Sequence, residues 1–253
     1  MSKIIINHPV GNIKIFIIKN FSILISNLFL FFLSLIIKIK KNESEIIISR
    51  ALYAPWKTNS LFRVFFKKIS HLTLLDKVRA YTLWYLTEGL KNKEGSILDV
   101  GCLKGGSGFI MSKINKVGST YLIDTFEGLV ESDKFYNKNH FIYANGVSEL
   151  RENIKKLRLK NIKIIKSVFP DKNIKEIKKV KICHIDVNTY NSTLKSFMYI
   201  HKKLISNGII IFDDYGTFGN KNIKKFVSKI IKKYNKDYFF IFNFFGQCIL
   251  LKK

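Results

Sequence analysis

Three carboxylates stand in two short stretches, HIDVNTY (184–190) and IFDDYG (211–216), and each stretch ends an apolar run. Asp186 belongs to the first, Asp213 and Asp214 to the second. The runs 181–185 and 208–212 read as buried strands. If those strands are parallel neighbours, their carboxyl ends lie side by side and the three acids converge. Gathered oxygen ligands suit a hard divalent ion such as Mg2+, held by a few carboxylates with positions left for water and substrate. Such an ion lowers the pKa of a hydroxyl and aligns it for attack. The plainer alternative is that one of these acids caps a helix or a loop. His184 lies two residues before Asp186 and points to the same side of its strand, as a packed or hydrogen-bonded core residue.

A second chemical signal is SILDVGCLKGGSG (96–108). A dinucleotide fingerprint fails because the position that needs its second glycine is Leu103, and no Lys-Ser or Lys-Thr follows the last glycine, so the ATP-type phosphate loop fails too. The pattern Asp99-x-Gly101-x-x-x-Gly105 fits a loop around a cofactor without a pyrophosphate, S-adenosylmethionine. Gly101 permits the sharp turn, and Gly105 and Gly106 let the backbone pass close to the ligand. Cys102 and Ser107 belong to the same candidate site. Its second half is an acid at the end of the next strand, able to accept hydrogen bonds from ribose hydroxyls. Asp124 in YLIDTFEGL lies 23 residues beyond Gly101, close to the ~20-residue interval of a βαβ unit. Thr125 and Phe126 follow it and flank the same place.

The elements that must position these residues follow from the alternation of apolar runs and helical stretches. Strands are expected at 96–100, 119–123, 162–166, 181–185 and 208–212. Helices are expected at 60–91, 106–116, 147–159, 192–206 and 220–235. The pattern is that of a parallel sheet with helices on both faces. Two further runs, 238–244 and 247–252, are separated by a short Phe-Gly turn and close the sheet with a hairpin. A mostly parallel, seven-stranded α/β sheet ending in an antiparallel hairpin is the Rossmann-like organisation of class I methyltransferases. Ligands bind outside the carboxyl ends of the strands in such a fold, which puts both signals on one edge.

The 253 residues carry 44 Lys and Arg against 18 Asp and Glu, a formal charge of +26. Lys, Ile and Asn crowd the whole chain, so the charge reads as compositional bias with a basic surface as its consequence. No arginine-rich stripe marks a nucleic-acid site, and nucleic acid is not expected as a partner. Cys102, Cys183 and Cys248 are odd in number and far apart, which fits a reducing, cytoplasmic compartment and excludes a disulfide framework. Residues 21–37, FSILISNLFLFFLSLII, are strongly apolar and flanked by lysines. They are slightly shorter than the ~20 residues of a spanning helix. Three readings stand for this segment: a marginal anchor, a helix lying on the inner face of an anionic membrane, or a contact in a homo-oligomer. The chain divides into this N-terminal segment (1–45), cap and entry helices (46–92) and the cofactor-binding domain (93–253).

Several blocks, in one order, resemble the macrocin-type sugar O-methyltransferases, the TylF/MycF family. APWKTNSLF (54–62) and TLLDKVRAYTLWYL (73–86) are similar to its entry segment and cap helix. GSILDVGCLKGGSG, YLIDTFEGLVESDKF, LKNIKIIKSVFPD, CHIDVNTYNST and GIIIFDDYGTFGNKNIKKFV are similar to its core. The resemblance covers about residues 50–253 and implies an S-adenosylmethionine-dependent, Mg-assisted transfer to a sugar hydroxyl. The acceptor is then a nucleotide-sugar, a glycan or a glycosylated metabolite. One position departs from the family pattern, which has a carboxylate two residues after Asp186; here Asn188 stands there, offering a carbonyl oxygen without charge. His140, in a variable stretch that serves the acceptor site in the family, is the candidate general base beside Asp186. Tyr53 and Trp56, in the loop before the cap helix, are the rings on which a sugar would stack. Two other functions stay open, an RNA methyltransferase and a membrane-attached, non-catalytic binding protein for S-adenosylmethionine.

Overall fold

The computed structural model describes residues 54–131, 137–171, 174, 176–217 and 221–253, with residues 21, 24, 25, 27–29, 31 and 32. The chain divides into two compact units, Met1–Pro55 and Trp56–Lys253. In the first, residues 21, 24, 25, 27–29, 31 and 32 are helical, and Phe21, Leu24, Ile25, Leu28, Phe29, Phe31 and Phe32 are exposed. Among the described residues no helix is long and apolar enough to cross a membrane. Most of the apolar segment 21–37 lies outside them.

The second unit begins with two helices where the periodicity predicts one. Helix α1 (Ser60–Ile69) is capped by Asn59, whose side chain accepts the Phe62 N–H at 2.9 Å. It buries Phe62, Phe65 and Ile69 and turns Arg63, Lys67 and Lys68 to solvent. A 3-10 turn, Ser70–Leu72, and an extended Thr73 follow. Helix α2 (Lys77–Leu90) restarts at Asp76, whose carboxylate accepts the N–H groups of Val78 (2.8 Å) and Arg79 (3.0 Å). That N-cap is why the helix breaks at 70–76. Both helices belong to the same compact unit as the sheet.

Seven strands form one sheet: β1 (Ser96–Val100), β2 (Thr120–Asp124), β3 (Ile162–Lys166), β4 (Val180–Ile185), β5 (Leu204–Phe212), β6 (Tyr238–Asn243) and β7 (Gln247–Lys252). The order is β3-β2-β1-β4-β5-β7-β6, with the first five parallel and β7 antiparallel to both neighbours. Four helices connect them: α3 (Gly106–Ile114), α4 (Gly146–Lys156), α5 (Tyr190–His201) and α6 (Lys221–Tyr234). The expected helix 192–206 stops at His201, and β5 starts four residues before the expected 208. Its extra residues fit because the register against β4 slips between Val180↔Leu204 and Ile182↔Ile209, where Asn207 takes a φ of 58°.

Alternation along the strands sorts the core into two layers. Ile97, Ile182, Ile209 and Ile211 face the side packed by α1–α4, while Leu98, Val100, Cys183, Ile185, Ile210 and Phe212 face α5 and α6. Each such side chain, fully buried, contributes about 1.5–3 kcal/mol. At the amino edge of the sheet, buried Lys181 donates to the carbonyls of Lys93 and Val117, both at 2.8 Å, and of Lys91 at 3.5 Å. It ties three loops together.

Candidate active site

The loop after β1 turns at Gly101, whose φ is 88° and whose N–H donates to the Ile123 carbonyl at 2.8 Å. A Cβ there would stand 2.0 Å from the Asp186 carbonyl oxygen, so only glycine lets β1 and β4 end this close together. Leu103, at a φ of 44°, donates its N–H to Asp124 Oδ2 at 2.8 Å, and Phe126 N–H donates to Asp124 Oδ1 at 2.8 Å. Asp124 thus fixes both its own turn and the glycine loop. Burial raises its pKa, and the N–H groups of Phe126 and Leu103 pull it back. Gly106 opens α3 against the chain of α1's exit: a Cβ there would meet the Leu72 carbonyl and Thr73 Cβ at 2.5 Å each.

A cavity of ≈ 260 Å³ opens at this edge, lined on one side by Gly101, Leu103, Asp124, Thr125 and Phe169, and on the other by Arg79, Asp186, Asn188 and Asp214. The first set fits S-adenosylmethionine. Each Asp124 oxygen accepts one backbone N–H and keeps a second lone pair, so the carboxylate can also take a ribose diol. Asp99, Gly105 and Ser107 stand behind the loop: Ser107 Oγ donates to buried Asp99 Oδ2 at 2.7 Å. Cys102, Gly106 and Ser107 line a smaller adjoining space of ≈ 40 Å³ with Lys104 and Asp186. Buried Phe126 supports the Asp124 turn through its N–H.

The other half grows from strand alternation. Asp99, His184 and Asp213 continue the rows of Ile97, Ile182 and Ile211, and therefore share the sheet face covered by α2 and α3. His184 Nδ1 lies 2.8 Å from Asp99 Oδ1, and Nε2 lies 3.4 Å from Asp213 Oδ2, too bent for a hydrogen bond. All three are at most 2% exposed. Burial alone would hold the imidazole neutral; its contacts with Asp213 and Asp99 overturn that and raise its pKa to about 10. Arg79, from α2, closes the set: Nη1 donates to Asp213 Oδ1 at 3.1 Å and lies 3.6 Å from Asp214 Oδ1, while Nε holds Asp76 at 2.8 Å. Burial, and then the charges of Asp213 and Asp214, push the Asp186 pKa well above the usual carboxylate range.

The residues expected to hold Mg2+ are only partly gathered. Asp186, Asn188 and Asp214 line the cavity, but Asp213 is turned from it, one oxygen on Arg79 and the other against His184. Among the described residues no group of three His, Cys, Asp or Glu side chains is placed to hold a metal ion. Asp213 is thus engaged by Arg79 and His184, and no chemical step is derived through a metal ion.

His140 is exposed, its Nδ1 turned to Asn137 Oδ1 at 3.1 Å, and it does not line the cavity. Trp56 is half-buried, edge-on to Tyr81 with ring centres 6.4 Å apart, and packs on the core away from the cavity. Tyr53 lies outside the described residues. Sequence reasoning missed Arg79, although it is one of only five arginines in a lysine-rich chain and falls one turn into a capped helix. It also missed that His184 joins two carboxylates, which the alternation of three neighbouring strands makes legible once their order is known.

Solved structures share this fold at low identity. The O-methyltransferase NovP matches with a TM-score of 0.59 and 17% identity over 72% of this chain and 82% of its own. The calicheamicin methyltransferase CalS11 matches with a TM-score of 0.56 and 12% identity over 82% and 99% of the two chains. An O-methyltransferase from Bacillus cereus, solved in complex with SAH, matches with a TM-score of 0.50 and 14% identity over 80% and 93%. No curated protein sequence matches this chain. The sequence profile of the macrocin-O-methyltransferase (TylF) family matches residues 73–237. Those residues carry the glycine loop, Asp124, Asp186, Arg79 and the five parallel strands that position them, and the chain belongs to that family of S-adenosylmethionine-dependent O-methyltransferases.

Proposed function

We propose that the acceptor is a sugar hydroxyl, on a nucleotide-sugar, a glycan or a glycosylated metabolite. The observation that carries this reading is a single cavity with a ribose-type carboxylate, Asp124, on one wall and the polar set Arg79, Asp186, Asn188 and Asp214 on the other. A polyhydroxy acceptor needs such donors and acceptors, whereas a flat apolar one would leave them desolvated. Family membership supports the same class.

Bound S-adenosylmethionine supplies an electrophilic methyl group on sulfur. Asp124 and the Gly101–Leu103 turn hold the cofactor side. Asp186, a carboxylate on the cavity wall, takes the hydroxyl proton. Asn188 and Asp214 orient neighbouring hydroxyls, and Arg79 balances the carboxylates. Leu74, Leu75 and Val187 line the same cavity and exclude water from it. Transfer then depends mainly on alignment.

Incubation with S-adenosylmethionine labelled in the methyl group, against panels of nucleotide-sugars, glycolipids and total RNA, tests the proposal. Label in a sugar, lowered about 10²–10⁴-fold by Asp186→Asn, is the expected result. Label in RNA alone would overturn it.

A further inference from the structure

We propose that the edge of the sheet formed by α6 and β6 is a docking surface for an anionic lipid bilayer. Among the described residues β6 ends the sheet and pairs only with β7. Edge strands of soluble proteins are ordinarily blunted by charge, proline or a covering element. This one reads YFFIFN, without a charge or a proline. Phe239, Ile241 and Phe242 are exposed along it, and Phe244 at the hairpin tip is 92% exposed with Phe245 beside it.

The tip is held, so its rings are presented in a fixed place. Asn243 Nδ2 donates to Thr82 Oγ1 at 2.9 Å, and Asn243 Oδ1 accepts the Phe245 N–H at 2.9 Å. Tyr215 N–H donates to the Gly246 carbonyl at 2.8 Å, and the Tyr215 and Phe242 rings stack with centres 5.0 Å apart.

Charge identifies the occupant. Residues 221–253 hold nine lysines and one acid, Asp237. Helix α6 buries Ile223, Phe226, Val227 and Ile230, which turns Lys224, Lys225, Lys229, Lys232 and Lys233 outward. Lys253 Nζ stands 4.7 Å from the centre of the Phe239 ring. A second copy of the chain would bring like charges together at this edge. An anionic bilayer meets both features, taking phenyl and sec-butyl groups that have no polar handle into its interface while its headgroups meet the lysines. Because Tyr215 directly follows the cavity residue Asp214, docking here places the acceptor side of the cavity beside the lipid surface.

The test uses the full chain with phosphatidylcholine vesicles, with and without phosphatidylglycerol, read by co-sedimentation. Binding that requires phosphatidylglycerol and weakens about tenfold or more in Phe244→Ser/Phe245→Ser and in Lys224→Glu/Lys225→Glu/Lys232→Glu is expected. All these side chains are exposed, so the variants fold. The indole introduced by Phe244→Trp should be quenched by brominated lipid. Binding unchanged in both multiple variants, or an unquenched indole, overturns the proposal. So does loss of poly(U) binding by the lysine variant when the wild type ignores vesicles, or a dimer that Ile241→Lys dissociates while vesicles are ignored. None of these readouts needs methyl transfer, so failure here is separable from failure of the proposed reaction.

Discussion

Replacing Gly101 by Ala probes the joint between cofactor loop and acceptor wall. The added Cβ would lie 2.0 Å from the Asp186 carbonyl oxygen and 2.7 Å from its carbon, where real Cβ atoms essentially never come within 3.0 Å. Both partners are backbone, and both are tied: Asp186 N–H donates to the Val100 carbonyl at 2.8 Å and Gly101 N–H to Ile123 at 2.8 Å. The ends of β1 and β4 must therefore part by about 1 Å, at an overpacking cost of roughly 1–3 kcal/mol. The left-handed backbone adds about 1–2 kcal/mol for a residue with a Cβ. A total near 2–5 kcal/mol lowers Tm by roughly 5–15 °C in a chain of this size. Displacing Asp186 by that distance also slows methyl transfer about 10²-fold. Gly216 is the control, with a φ of 80° and nothing within 4 Å of its built Cβ, so Gly216→Ala carries the backbone cost alone. Differential scanning calorimetry and calorimetric titration with S-adenosylmethionine read both effects. Equal Tm shifts in the two variants, with cofactor affinity unchanged in Gly101→Ala, would refute the packing of this loop on Asp186.

Two further outcomes follow from buried charges. Lys181→Met strips the carbonyls of Lys91, Lys93 and Val117 of a shared cationic donor, and should lower stability by about 3 kcal/mol in urea melts; a loss below about 1 kcal/mol would show that the three loops hold without it. The pKa of His184 is raised to about 10 in the folded chain from an ordinary value near 6.5. The folded state therefore binds this proton more tightly, and the stability it confers is complete below about pH 6.5 and is lost as pH rises through about 10, on the order of 5 kcal/mol in all. Urea midpoints from pH 6 to 10 should fall more steeply for wild type than for His184→Phe, and parallel slopes would contradict a charged imidazole.

Much of the frame was legible because its signals are local. The five parallel strands and the closing hairpin show as short apolar runs, and Gly101 and Asp124 stand at the interval one βαβ unit requires. What was not legible depends partly on partners distant in sequence and partly on local caps and turns that the apolar pattern masks. The break at 70–76 was hidden because Leu74, Leu75 and Val78 continue a helical stripe while Asp76 acts as a cap. The start of β5 was hidden by a register slip that only β4 reveals. Strand order gathers the three carboxylates at one edge, as their spacing implies, but the pairing of Asp213 with Arg79 comes from another element and leaves no local trace. His140 has the right chemistry for a base, yet a local turn with Asn137 holds its ring outside the cavity.

The central claim is a cofactor site built by Asp124 and the glycine loop on an O-methyltransferase fold. Isothermal titration of the full chain with S-adenosylmethionine tests it most directly, alongside Asp124→Ala checked for an intact fold by circular dichroism. Saturable binding in the micromolar range that Asp124→Ala abolishes is the expected result. No binding by the folded wild type, or equal binding by the variant, would contradict it.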